Sequence, residues 1–200
     1  MASTITSSRI KTAAMSDEAR VVGALVLAFG ADPVGRWLYP DPQQYLSYAP
    51  DFIRAFAGQA FAHETAYYVD GYAGAALWLP PGGHPDEDGL VALIERSAAG
   101  RDQAELFAVL EQMEGYHPSE PHWYLPLIGV DPTQQGRGYG SALLQHTLAR
   151  CDRDNMLAYL EASSPRNRLL YERHGFEMLA SIQFGKSPTI WPMVRQPRAL

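Results

Sequence analysis

Between an apolar run at Tyr124 to Val130 and a helical pattern opening near Tyr139 lies the stretch Gln134-Gln135-Gly136-Arg137-Gly138-Tyr139-Gly140-Ser141. Three glycines in five positions leave the backbone free of side-chain obstruction, so another group can approach it closely. A strand feeding such a loop, and a loop opening a helix, direct unpaired N–H groups at one point. That arrangement holds anions, phosphate above all. The segment therefore demands a strand–loop–helix unit, with a phosphate-bearing ligand at the N-terminus of the helix that begins near Gly140.

Three phosphate-loop patterns compete for this stretch. A nucleotide P-loop needs Gly-Lys-Ser or Gly-Lys-Thr, and the loop carries no Lys. A dinucleotide fingerprint needs G-x-G-x-x-G. Here the spacing is G-x-G-x-G, Ser141 takes the sixth position, and no acidic residue follows at the distance a βαβ unit requires. The third pattern, Q-x-x-G-x-G, is matched by Gln135, Gly138 and Gly140.

The rest of the chain reads as one domain of 200 residues, long enough to bury a core. Its net charge of −6 argues against a nucleic-acid partner; the only basic patches are Arg150/Arg153 and Arg166/Arg168/Arg173. The single cysteine, Cys151, fits a reducing compartment and a bland helix position. Met1 to Met15 lacks the apolar segment of a secretory signal and reads as a flexible tail. The longest apolar run, Val21 to Phe29, is too short to span a bilayer. A cytoplasmic protein, monomer or homodimer, is expected.

Ser16-Asp17-Glu18 predicts a helix start, with the helix ending at Gly30. Asp32-Pro33 breaks the chain, an aromatic connection follows, and a second helix covers Gln43 to His63. Asp70-Gly71 between Thr65–Val69 and Tyr72–Leu79 predicts a hairpin. Helices at Leu90–Ser97 and Gln103–Gly115 are separated by Gly100. A strand at His122–Val130, a helix at Gly140–Asp152, a strand at Met156–Glu161 and a helix at Arg166–His174 come next. Strands at Phe176–Gly185 and Thr189–Val194 close the chain. This alternation implies an α/β chain with a mixed sheet and helices on its faces.

Downstream of the loop, Tyr171-Glu172-Arg173-His174-Gly175-Phe176 fits Y-x-x-x-G-F. Together with Q-x-x-G-x-G, in this order and separated by a helix and a strand, it resembles the GCN5-related N-acetyltransferase (GNAT) superfamily. The resemblance covers roughly the last 80 residues. It implies the GNAT fold: a mostly antiparallel mixed sheet of six or seven strands, helices on both faces, and a splay between two central parallel strands. It implies acetyl-CoA as acyl donor, its diphosphate held by Gln135, Gly136, Arg137, Gly138, Tyr139, Gly140 and Ser141. Glu161-Ala162-Ser163-Ser164-Pro165-Arg166-Asn167, Glu120-Pro121-His122-Trp123-Tyr124-Leu125 and Ala28-Phe29…Asp32-Pro33 look like puromycin N-acetyltransferase and its relatives, which implies a subfamily and not a substrate. In many acetyltransferases Asn stands seven residues before the Tyr. Here Ser164 holds that place and Asn167 is the nearby candidate for the pantetheine contact.

Acetyl transfer to an amine needs a proton acceptor, donors aimed at the thioester oxygen, and an acid for the departing sulfur. The resemblance places Leu127, Ile128, Gly129 and Val130 on the splayed strand, whose free backbone groups hold the pantetheine and the thioester oxygen. It makes Tyr171 the acid. Glu161, at a strand end, is the candidate base, with His117, His122 and His174 in reserve. Trp37, Tyr39, Tyr45, Trp78, Tyr116 and Trp123 are candidate walls of an acceptor pocket, with Asp41 or Glu114 pairing the amine. His117-x4-His122 lacks partners for a metal site. The expected activity is transfer of an acetyl group to a small amine, such as an aminonucleoside antibiotic or other toxic metabolite. An idle acyl-CoA-binding regulatory module and an acetyltransferase acting on protein N-termini or lysines are the alternatives; an acidic chain makes an RNA acceptor poor.

Overall fold

In the computed structural model, residues 10–97 and 103–199 are described. Seven strands form one sheet: β1 (Ile10–Thr12), β2 (Ala66–Val69), β3 (Gly74–Leu79), β4 (His122–Val130), β5 (Leu157–Ala162), β6 (Glu177–Met178) and β7 (Trp191–Arg195). Their order is β1-β2-β3-β4-β5-β7-β6, and only β4 and β5 run parallel. Around it lie α1 (Glu18–Phe29), α2 (Pro33–Leu38), α3 (Pro42–Ala57), α4 (Gln59–Ala62), α5 (Glu87–Ser97), α6 (Gln103–Glu114), α7 (Tyr139–Arg153) and α8 (Pro165–Arg173).

Side chains on a strand alternate between its two faces. Trp78, Trp123 and Leu160 therefore pack against Leu143, Leu144 and Leu148 of α7. Leu77, Tyr124 and Tyr159 pack against Val22 and Leu25 of α1 and Ile53 and Phe56 of α3. The alternation slips once. Leu77 pairs with Leu127 but Leu79 pairs with Tyr124, so β4 carries one extra residue at a bulge. Pro126 sits there, where its missing N–H leaves no ladder bond broken.

Several expectations are corrected. Residues 10–12 are no tail: β1 pairs antiparallel with β2, Ile10 against Val69. Residues 1–9, and Gly100 as a helix separator, lie outside the described residues. Asp32-Pro33 starts a helix instead of leading into an irregular connection. Asp32 accepts from the Val34 and Gly35 N–H groups, and Pro33 occupies the first turn, where no N–H is required. Asp41-Pro42 does the same for α3, which ends at Ala57, short of His63. The hairpin forms, but its connection spans Asp70 to Ala73, with Gly71 at φ 78° and Tyr72 at φ 57°. Of the strand expected at Phe176–Gly185, only Glu177–Met178 and a bridge from Ile182 to Ile190 exist.

One buried ion pair ties the C-terminal end of α7 to β7. Arg195 donates to both Asp152 oxygens at 2.7 and 2.9 Å and to the His174 carbonyl at 3.0 Å. The Arg195 hydrogen bonds hold the Asp152 carboxyl below its usual range. A depressed folded-state value stabilises the fold above the unfolded carboxyl value, and that contribution disappears as pH falls through the folded one. Asp152→Asn is expected to lower stability by about 3 kcal/mol. In urea melts the gap to wild type should narrow below about pH 4; a gap constant down to acid would contradict the role of this pair.

Candidate active site

The β4–α7 loop has the backbone of an anion cradle. Gly136 (φ 77°) and Gly138 (φ 82°) are left-handed, flanking Arg137, an alternation that turns successive N–H groups to one side. Gly138 is the N-cap of α7 and supplies no side-chain cap, so the first-turn N–H groups of Tyr139, Gly140 and Ser141 lack the usual partner. Gln135 ties the loop back by donating from Nε2 to the Val130 carbonyl at 3.3 Å. A cleft of about 370 Å³ opens onto Gln135, Gly136, Gly138, Tyr139, Gly140 and Ser141. Ile128, Gly129 and Val130 of β4 and Asn167 and Tyr171 of α8 complete its wall. Arg137 is exposed and is not among the lining residues.

Gly129 lines the cleft and also has a packing use. A Cβ there would lie 2.5 Å from the Ala28 Cβ, so its bareness admits α1 against the sheet. The cleft also has cations that sequence reasoning did not assign to it. Arg166 and Arg173 line it with Leu170 between them, at positions i, i+4 and i+7 of α8. That helical spacing was the available signal.

The parallel pair parts inside the sheet. β4 and β5 are matched from His122/Leu157 to Tyr124/Tyr159 and no further. Beyond that point β4 follows β3 and β5 follows β7. An apolar cavity of about 140 Å³ lies against the parted strands, sharing Ile128, Asp32, Asn167 and Tyr171 with the loop cleft. Of the candidate acceptor-pocket residues, Trp37, Tyr39 and Tyr45 wall it. Trp78 and Trp123 instead fill the core on the α7 face. Asp41 is occupied as a helix cap. Tyr116 borders neither cavity.

Tyr171 is 5% exposed. Burial, and then the charge of Asp32, push its phenol up. Asp32 accepts from the Ser163 hydroxyl, and burial raises its carboxyl. Nothing local in the sequence tied Asp32 to Tyr171. Glu161 reaches the same apolar cavity from β5 with a side chain only 5% exposed. His117 Nε2 stands 3.3 Å from its Oε1, yet off hydrogen-bonding alignment, so that oxygen has no hydrogen-bond partner. His117 Nδ1 in turn lies 3.3 Å from His122 Nε2. His174, the third reserve histidine, caps α8 away from the cavity. Ser164 accepts from the Asn167 N–H and caps α8, leaving Asn167 as the amide side chain at both cavities. Burial pushes the Cys151 thiol up to about 12, so it stays protonated inside the core.

The β-sheet parts between two parallel strands, and a glycine cradle stands at the end of one of them. Over much of its C-terminal half the chain resembles the GNAT acetyltransferases. The family described as acetyltransferase (GNAT) domain matches residues 90–178. An uncharacterized N-acetyltransferase of Schizosaccharomyces pombe is 27% identical over 198 residues, covering 90% of this chain and 80% of that protein. Among solved structures, histone acetyltransferase HPA2 and related acetyltransferase from Corynebacterium glutamicum is similar at TM-score 0.68 and 27% identity, over 96% of this chain and 97% of that one. Drosophila melanogaster polyamine N-acetyltransferase, which catalyses formation of N-acetylagmatine, shares the fold at TM-score 0.63 and 15% identity, covering 94% and 98%. This protein is thus an enzyme that transfers acetyl groups to amines. Among the described residues no helix is long and apolar enough to cross a membrane.

Proposed function

We propose that this acetyltransferase uses acetyl-CoA and acts on a small-molecule amine by direct attack within a ternary complex. One observation carries the reading: Tyr171 and Asn167 of α8 line both the glycine-loop cleft and the apolar cavity, and Glu161 of β5 lines that cavity too. The residues suit the carrier. Free amides at Tyr139, Gly140 and Ser141, with Arg166 and Arg173, match a diphosphate. Ile128, Gly129 and Val130, on the part of β4 that no longer pairs with β5, match the pantetheine arm. Acetyl-CoA supplies the activated acetyl thioester when bound.

Glu161 takes a proton from the acceptor amine so that a lone pair is available for attack. Tyr171, kept protonated by its burial, gives its hydroxyl proton to the departing sulfur. Cys151 lies in the core and lines neither cavity, which favours direct transfer over an acyl-cysteine route. The puromycin N-acetyltransferase resemblance and the small size of the aromatic-walled cavity, about 140 Å³, both support a small acceptor over a protein chain.

A thiol-release assay with acetyl-CoA across a panel of primary amines tests the activity. Initial-rate plots with both substrates varied should intersect; parallel lines would point to an acyl-enzyme and remove direct attack. Glu161→Gln is expected to lower kcat about hundredfold. An unchanged kcat would take Glu161 out of the base role.

A further inference from the structure

We propose that the acidic groove on the far side of Glu161 seats a second ammonium group, so that the acceptor is a diamine or polyamine. The inference rests on the acetyltransferase reading above and extends it to the acceptor's other end. A groove of about 790 Å³ runs between the segment after β3, helix α6 and the segment entering β4. Glu87, Glu111, Glu114 and Glu120 are exposed around it and Glu161 lines it from β5. Among the described residues, none of its lining is Lys or Arg, and none of those four exposed carboxylates is in an ion pair. Its lining also holds His84, His117 and His122, with His117 beside Glu161; a wall that carries four exposed carboxylates and no Lys or Arg gathers cations.

An acidic surface alone is commonly just solvated; the buried end of this one is different. Glu161 Oε1 is buried without a hydrogen-bond partner, a state that proteins rarely leave unanswered. An ammonium offers three donors and is the simplest group to meet it. Glu161 belongs to both the groove and the apolar cavity that reaches Tyr171, as do Leu110 and Met113. One amine at Glu161 therefore faces the acyl-transfer side while a methylene chain crosses Leu110 and Met113. The far ammonium then meets Glu111 and Glu114, which are i, i+3 neighbours on one face of α6. Glu114 and Glu161 act on the same Tyr124 and Tyr159 rings, which places the two charges around one spot.

The probes are diaminooctane and octylamine, equal in chain length and different in the far charge. With CoA present, calorimetry should give diaminooctane an affinity about tenfold above octylamine, because two partly exposed ion pairs are at stake. The Glu111→Gln/Glu114→Gln double variant should erase most of that preference, and added salt should weaken it in the wild type. Equal affinities, or a preference that survives both substitutions, overturn the groove as a cation seat. Turnover is read separately. Selective binding of diaminooctane without acetylation of any amine would leave the groove standing and count against the acetyltransferase reading instead. In a turnover-competent protein the ratio of kcat/KM for the two amines should follow the binding preference and collapse in the double variant.

Discussion

Replacing Gly138 with valine is expected to abolish binding of acetyl-CoA while leaving the fold in place. Gly138 holds φ 82° as the residue that caps α7. An L-residue in that region is strained by about 1–2 kcal/mol, and a β-branched one is the least tolerant. Relief of the strain rotates the peptide planes on either side and turns the Tyr139, Gly140 and Ser141 amides off their common target. Each hydrogen bond to a charged oxygen contributes about 1.5–3 kcal/mol, so losing two or three of them weakens binding more than about hundredfold. The helix itself stays docked through Leu143, Leu144 and Leu148, which are buried. Calorimetric titration of the variant with CoA is the measurement. A normal dissociation constant, with a normal melting profile, would remove the loop from diphosphate binding. Gly140 offers a graded control, since its Cβ would meet Leu170 at 3.4 Å and Val130 at 3.9 Å, both ordinary side-chain contacts, and its φ is not left-handed.

Tyr171→Phe is expected to lower kcat by about hundredfold or more, the usual weight of a positioned acid, with little change in acetyl-CoA affinity. The substitution keeps the ring that packs edge-on against Phe176 at 6.0 Å, so structure is conserved and only the proton donor is removed. The pH profile gives a second reading. Burial and the Asp32 charge raise the phenol's folded value, so the donor form persists to higher pH than a free tyrosine would allow. The alkaline fall in wild-type kcat should therefore lie above about pH 10. It should be missing from the residual activity of the phenylalanine variant. A fall near neutrality that the variant shares would assign the titration to another group.

The two families of residues behind these experiments were legible to different degrees. Gly136 and Gly138 declare their loop because a left-handed turn into a helix needs glycine locally, whatever the rest of the chain does. The Y-x-x-x-G-F segment declares the end of α8 for the same reason, with Gly175 at φ 89°. Prolines were read less well. At Asp32-Pro33 and Asp41-Pro42 the pair marks a first turn, but the same dipeptide also breaks helices, and only the carboxylate hydrogen bonds separate the two meanings. Pro126 shows the same limit inside a strand, where the bulge depends on what β3 offers across the ladder.

What the chain decides by itself is every feature set by a few neighbouring residues. These include the alternation of β3 and β5, the apolar face of α7, the glycine cradle and the capped start of α8. Tertiary structure decided the features made by residues remote in the chain. Asp32 meets Ser163 across 131 positions and sets the charge beside Tyr171. Glu161 meets His117, and α8 turns Arg166 and Arg173 into the cleft. The parting of β4 from β5 is of the same kind, since β5 has β7 to pair with once β4 leaves it. Backbone preferences act over a turn or a strand, whereas the electrostatics and enclosure of a site depend on which distant side chains are excluded from water together.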